Sequence, residues 1–182
     1  MTEQAYYKTG FGEMLCKITD KLKRAIKPQV FHPRKIPFEW SKIDEYVYIG
    51  TNQCCKTHFD ESLIKEGILA DISLEEERID APWGVDYFLW LPTKNHYAPT
   101  PEQLKLGVEA IASLVKNKQK VFLHCQRGHG RAPTLASAYY ISKGMSVEEA
   151  LKKVKAKRPI AHLTERQFNA LKKFRQSLKR KS

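Results

Sequence analysis

The sequence predicts a single α/β domain: a mainly parallel central sheet flanked by helices, with a phosphate loop between one strand and the helix that follows it. Three observations carry that expectation. Short apolar or aromatic runs alternate with longer segments of helical periodicity from about residue 40 to residue 178. Three of the longer segments open on Thr or Ser with Gln or Glu three residues later, the pattern of a capping box. The apolar run Val121, Phe122 and Leu123 leads into HCQRGHGR, His124 to Arg131, where two glycines separate a cysteine from an arginine.

Taken in order, Tyr46 to Ile49 reads as a strand, and Thr57 to Glu66 as a helix with Thr57 as its cap and Gly67 as its stop. Ile68 to Ile72 is a second strand, and residues 74 to 84, Glu75 to Glu77 among them, form a polar loop. Asp86 to Leu91 is a third strand. Thr100 then caps a long helix, with Pro101 in its first turn and Gln103 completing the box. After the strand Val121 to His124 come three helices. The first runs from Ala132 to Lys143 and stops at Gly144; the second, Ser146 to Lys157, is boxed by Glu149; the third, Thr164 to about Leu178, is boxed by Gln167. Strands feeding helices in this order place a site at the C-terminal edge of the sheet.

Composition fits one folded unit. At 182 residues and 42% hydrophobic, the chain suits a domain at 38–182 with a basic N-terminal extension at 1–37. The net charge of +12 resides in the two ends, while residues 38–150 carry a small excess of acids. Within the extension, Phe11, Met14, Leu15, Ile18, Leu22, Ala25 and Ile26 recur at helical spacing among Lys17, Lys21, Lys23 and Arg24, and Pro28 ends the pattern. Such a helix either packs on its own domain or lies on an anionic membrane surface, and the peripheral membrane contact is the partner it suggests. Cys16, Cys54, Cys55 and Cys125 show neither metal-ligand spacing nor a secreted disulfide framework. A reducing, cytoplasmic setting is expected, with neither metal nor cofactor. No apolar run approaches the about 18 residues of a membrane span. No interleaving of aromatic and basic residues for base stacking stands out, so no specific nucleic acid is expected.

The loop carries the chemistry. Gly128 and Gly130 permit a turn whose amides point to one centre, which is how a backbone nest binds phosphate. Gln126, Arg127, Gly128, His129, Gly130 and Arg131 are the expected substrate-binding residues. Arg131, opening a helix, offers a planar fork for two phosphate oxygens. Inward amides, a helix N-terminus and the guanidinium all favour the thiolate form of Cys125. A thiolate in a phosphate-sized cradle attacks phosphorus and passes through a phosphocysteine that water hydrolyses.

HCxxGxxR behind a strand resembles the cysteine-based phosphatases, and the chain from about Trp40 to Phe174 resembles their dual-specificity branch. The stretch W-x-x-I-D-x-x-V-x-I-G from Trp40 to Gly50 is similar to the first strand of that branch, and residues 144 to 171 are similar to its C-terminal helices. Arg131, Ala132 and Pro133 look like a variant of bacterial members and plant glucan phosphatases. The resemblance implies phosphomonoester hydrolysis without metal, with Cys125 as nucleophile, Arg131 as clamp and a phosphorylated protein as substrate; a phospholipid is the next substrate class, because both basic helices could hold a membrane.

The pattern departs from the resemblance at two places. An aspartate on a loop roughly thirty residues before the cysteine protonates the leaving oxygen in those enzymes, and here LPTKNHYAPTPEQL aligns Asn95 with it. An amide is no general acid. Three readings stand: His96 takes the role, another carboxylate reaches in, or the protein turns over only good leaving groups. Asp86, the nearest upstream acid, is expected at the start of its strand, far from the loop. The second departure, Ala132, lacks the hydroxyl that assists the departing thiolate in many relatives. His124 is expected to hydrogen bond near the loop, and His129 to face the substrate. Besides a dual-specificity protein phosphatase, the alternatives are a lipid phosphatase acting on phosphatidylglycerophosphate or phosphoinositide, a phosphate-binding module without turnover, an RNA 5′-phosphatase, and a sulfur transferase.

Overall fold

In the computed structural model the described residues are 37–53, 56, 58–80 and 82–180. The predicted N-terminal helix, Cys16, Cys54, Cys55 and the proposed cap Thr57 lie outside them. The elements are β1 (Trp40–Lys42), β2 (Val47–Gly50), α1 (Glu61–Lys65), β3 (Ile68–Glu75), β4 (Tyr87–Thr93), α2 (Pro101–Lys116), β5 (Lys120–His124), α3 (Arg131–Ser142), α4 (Val147–Lys157) and α5 (Glu165–Lys179).

The strands form one sheet in the order β1-β2-β5-β3-β4. β1 pairs antiparallel with β2, and every other pairing is parallel. The stretch from Trp40 to Gly50 is therefore two strands. Asp44 closes their turn by accepting from the amides of Tyr46 and Val47 at 3.0 and 2.9 Å. Parallel strands need long crossovers; α1 supplies the one from β2 to β3 and α2 the one from β4 to β5, while residues 76–86 link β3 to β4 with no helix among the described residues.

Alternation along the strands divides the core between the two faces. Val47, Ile49, Ile72, Leu74, Val121 and Leu123 pack with α2, α3, α4 and α5 residues in the larger cluster. Tyr48 and Phe122 pack with Phe59 and Leu63 of the α1 region in the smaller one. α3 lies against the sheet with α2, α4 and α5 around it, and every residue from Arg131 to Ile141 is buried.

The capping boxes at Thr100, Ser146 and Thr164 form as the sequence indicates, with both reciprocal bonds present. Two boundaries differ by three residues or more. The first helix begins at Glu61, capped by the Asp60 carboxylate on the Ser62 amide. β3 continues to Glu75, three residues beyond the predicted end and into the predicted polar loop. Its acidic end is tolerated because Asn52, two residues after β2, donates to both Glu75 oxygens at 3.0 and 2.9 Å.

Candidate active site

Cys125 leaves β5 at the C-terminal edge of the sheet, and α3 begins six residues later. Between them the five carbonyls from Gln126 to Gly130 are all turned outward and bonded. Gln126 accepts from the Asn52 amide at 3.3 Å and His129 from the His162 amide at 2.9 Å. Arg127 and Gly128 accept from Arg158 Nη2 and Nε at 3.1 and 2.8 Å. Gly130 accepts from the Thr134 amide and hydroxyl at 2.8 and 2.7 Å. None of the amides of Gln126 to Gly130 has a partner among the described residues. Peptide planes with outward carbonyls carry inward amides, so the loop encloses a ring of free donors ahead of the α3 N-terminus.

Gly128 makes that turn at φ +62, a conformation costly for any side chain, and a Cβ there would lie 2.5 Å from the Gly50 carbonyl oxygen. Arg158 buttresses the loop from behind. It is 2% exposed, and it also pairs with Glu39 at 3.0 Å and Ser41 Oγ at 3.1 Å, fastening the loop to the β1 region.

Arg131 is 2% exposed and anchored through one atom: Nη1 donates to the carbonyls of Thr93 and Leu74 at 2.7 and 3.3 Å and to Glu77 Oε2 at 2.8 Å. The ends of β3 and β4 thus hold the guanidinium in place. Anchoring through Nη1 leaves the Nε and Nη2 edge of the fork for a ligand.

A cleft of about 510 Å³ opens over the loop, lined by Asn95, His96, Cys125, Gln126, Arg127, His129, Gly130 and Arg131, all expected from the sequence except for what joins them: His162, Thr164 and Gln167. Gly128 sits behind the loop, buried against Gly50 and Arg158. The loop bearing Asn95 and His96 is tied down by α5. Thr164 Oγ1 donates to the His96 carbonyl at 3.1 Å, and Gln167 Nε2 to that of Tyr97 at 2.9 Å. Asn95 Oδ1 accepts from the His96 amide at 3.0 Å, and His96 takes a left-handed φ of 65. Asp86 lies at the other end of β4, where its amide donates to the Leu69 carbonyl. The rings of His129 and His162 stand 5.2 Å apart in the cleft. Burial, then the neighbouring His162, Arg158 and Arg127 charges, hold His129 below the usual imidazole range.

The expectation for His124 is corrected. Strand alternation sends Cys125 and Leu123 to the helical face and His124 with Phe122 to the other, where the two rings stack at 5.5 Å. His124 makes no hydrogen bond to the loop and faces Asp71 and Asp80 instead. Glu75, Asp80 and His124 are the one set among the described residues close enough to hold a metal ion. Asn52 already binds Glu75, and Arg78 and the Gln53 amide bind Asp80, so the set is a network of charges and amides.

Residues 47–177 match the family described as "Dual specificity phosphatase, catalytic domain". This chain belongs to that family. A curated relative, phosphatidylglycerophosphate phosphatase PTPMT2 of Arabidopsis thaliana, is 26% identical over 144 residues, covering 74% of this chain and 62% of its own length. The phosphatidylglycerophosphatase and protein-tyrosine phosphatase 1 of Homo sapiens is 31% identical over 81 residues, 44% of this chain and 40% of that protein. The chain therefore spans less than two thirds of either relative. The crystal structure of human DUSP28 superposes with a TM-score of 0.71 at 17% identity, covering 78% of this chain and 99% of that one, a likeness of fold. Within the dual-specificity phosphatase fold, Arg158, Gln167, His162 and Glu77 escaped the sequence reading as site residues. Arg158 followed by Pro159 has the look of an ordinary helix end, and Gln167 that of a capping residue.

Proposed function

We propose that this domain hydrolyses the phosphomonoester of a phospholipid headgroup through a phosphocysteine. The ring of unpartnered amides beside Cys125, closed by the anchored Arg131, carries the reading: it offers donors to an oxyanion in the cleft that Cys125 also lines. The Cys125 thiolate attacks phosphorus as the alkoxide leaves, and the amides and Arg131 meet the charge on the equatorial oxygens. Water then displaces the sulfur and releases phosphate. Nucleophile, oxyanion donors and clamp all come from the chain, so this route has no metal-bound step. The folded domain is taken as 38–182, with 1–37 as an extension that seats it on an anionic membrane.

The sequence alone favours a protein substrate. The names of the plant and human relatives share phosphatidylglycerophosphate phosphatase, although the human name adds protein-tyrosine phosphatase, and the shared part favours the lipid. A lipid headgroup leaves as an alkoxide and needs a proton, which Asn95 does not supply. His96, in the same cleft, is the donor this reading requires.

Phosphate release from short-chain phosphatidylglycerophosphate, phosphoinositides, phosphopeptides and an aryl phosphate tests the reading. Lipid turnover an order of magnitude above peptide turnover in kcat/KM, abolished by Cys125→Ser, is expected. Preferential peptide turnover would return the assignment to a protein phosphatase. Tight phosphate binding without turnover would make the domain a binding module, the outcome that Asn95 favours.

A further inference from the structure

The cleft has an apolar neighbour. A groove of about 370 Å³ between α4 and α5 is lined by Leu151, Val154, Ala161, Leu163 and Phe168. Val154 and Ala161 are buried, whereas Leu151, Leu163 and Phe168 are only half-buried. His162 and Thr164 line both the groove and the cleft, so one short segment of chain is the wall between them. The apolar side chains of the groove take no part in the chemistry above.

The surroundings of the groove are cationic. Lys155 stands on its rim, and Lys172 Nζ lies 4.5 Å from the centre of the Phe168 ring. Glu165 is the one acid from Leu151 to Ser182, against twelve Lys and Arg. On the loop of Asn95 and His96, Lys94 Nζ and the Arg166 guanidinium carbon lie 5.2 and 4.4 Å from the centre of the Tyr97 ring. Tyr97 is exposed, as is Ile160, two residues before His162. Cations interspersed with exposed aromatic and aliphatic side chains suit the surface of an anionic bilayer. A hydrocarbon-lined groove beside a phosphate site, set in such a surface, is complementary to a molecule with an anionic head and an apolar tail.

We propose that the groove between α4 and α5 takes an acyl chain of the lipid whose phosphomonoester occupies the cleft, an assignment that rests on the lipid reading of that cleft. The glycerol and phosphodiester of a phosphatidylglycerophosphate headgroup then pass over His162, from the phosphate loop on one side to Leu151 and Phe168 on the other. The groove is smaller than one turn of an α-helix about 10 Å across, so it suits a single hydrocarbon chain better than a helical partner. Each methylene that leaves water for it strengthens binding by about fourfold.

Kinetics and binding on the full chain test this. With dibutyryl, dihexanoyl and dioctanoyl phosphatidylglycerophosphate, all below their micelle concentrations, KM of the wild type should fall by at least about tenfold from the shortest chains to the longest at near-constant kcat. Leu151→Gln should flatten that series and leave aryl phosphate turnover unchanged, since Leu151 lies outside the cleft. A KM independent of chain length in the wild type, or the full dependence retained in a folded Leu151→Gln protein, overturns the proposal and leaves the phosphatase reading standing. The binding arm needs no turnover. In Cys125→Ser protein with labelled leucine and valine methyl groups, the dioctanoyl lipid should give nuclear Overhauser contacts from its acyl protons to Leu151 and Val154, and glycerol 3-phosphate should leave both methyl signals in place. Absence of those acyl contacts also overturns the proposal. A wild type that hydrolyses no phosphomonoester counts against the phosphatase reading, and the methyl contacts then decide the groove on their own.

Discussion

Arg158 and Gly128 are joined by a hydrogen bond of 2.8 Å from the guanidinium Nε to the glycine carbonyl, thirty residues apart in the chain. With the adjacent bond from Nη2 to the Arg127 carbonyl, it turns two successive peptide planes outward and their amides inward. The ring of amides is therefore shaped from outside by a residue that does not line the cleft.

Arg158→Met keeps much of the buried volume and removes every donor. The expected outcome is a fall in kcat/KM on aryl phosphate of about 10²-fold, in the range found when one oxyanion donor is lost. Steady-state kinetics beside a far-ultraviolet dichroism spectrum will check it, and unchanged kinetics would show that the loop holds its shape without the arginine.

Gly128→Ala strains the same turn from within. At φ +62 its Cβ would lie 2.5 Å from Gly50 O and 2.7 Å from Arg158 Nη2, with backbone on one side and a buried guanidinium on the other. Loss of turnover and destabilisation of about 1–3 kcal/mol are expected from urea unfolding.

His96 should separate substrates by leaving group. His96→Ala is expected to slow alkyl phosphate hydrolysis by about 10²-fold or more while sparing an aryl phosphate, whose leaving oxygen needs no proton. Asn95→Asp is the converse test: a large gain on alkyl phosphates would mean that the wild-type cleft holds no acid and that His96 is a bystander.

His124 also shapes stability against pH. Its folded pKa of about 9 lies above the ordinary imidazole value. The native state therefore keeps a proton that the unfolded chain has released between about pH 6.5 and 9. The stabilisation is complete below that window and is lost as the pH rises through it. Thermal unfolding from pH 6 to 10 should show Tm falling across the window, more steeply in the wild type than in His124→Gln; equal slopes would contradict a charged native imidazole.

Local information was enough for much of this protein. Thr100, Ser146 and Thr164 declare their helices because a cap and its box act within four residues. The loop after β5 is equally legible, since its glycines, cysteine and arginine lie within seven residues of chain. Glu75 misled because charge alone says loop, whereas its partner Asn52 lies 23 residues away and makes burial tolerable at the end of β3. His124 misled likewise: its neighbour in sequence is Cys125, which faces the cleft, but strand alternation turns the ring toward Asp71 on the opposite face.

The sequence by itself determined the chain order of the helices and of four of the five strands, and the residues of the loop from Cys125 to Arg131 with Asn95 upstream of it. Only the tertiary structure decided what shapes that loop and the cleft over it, because Arg158, Glu77 and Gln167 act through contacts between distant segments. Short-range rules of capping and periodicity are blind to partners of that kind. A buried charge takes its meaning from whichever opposite charge the fold brings to it.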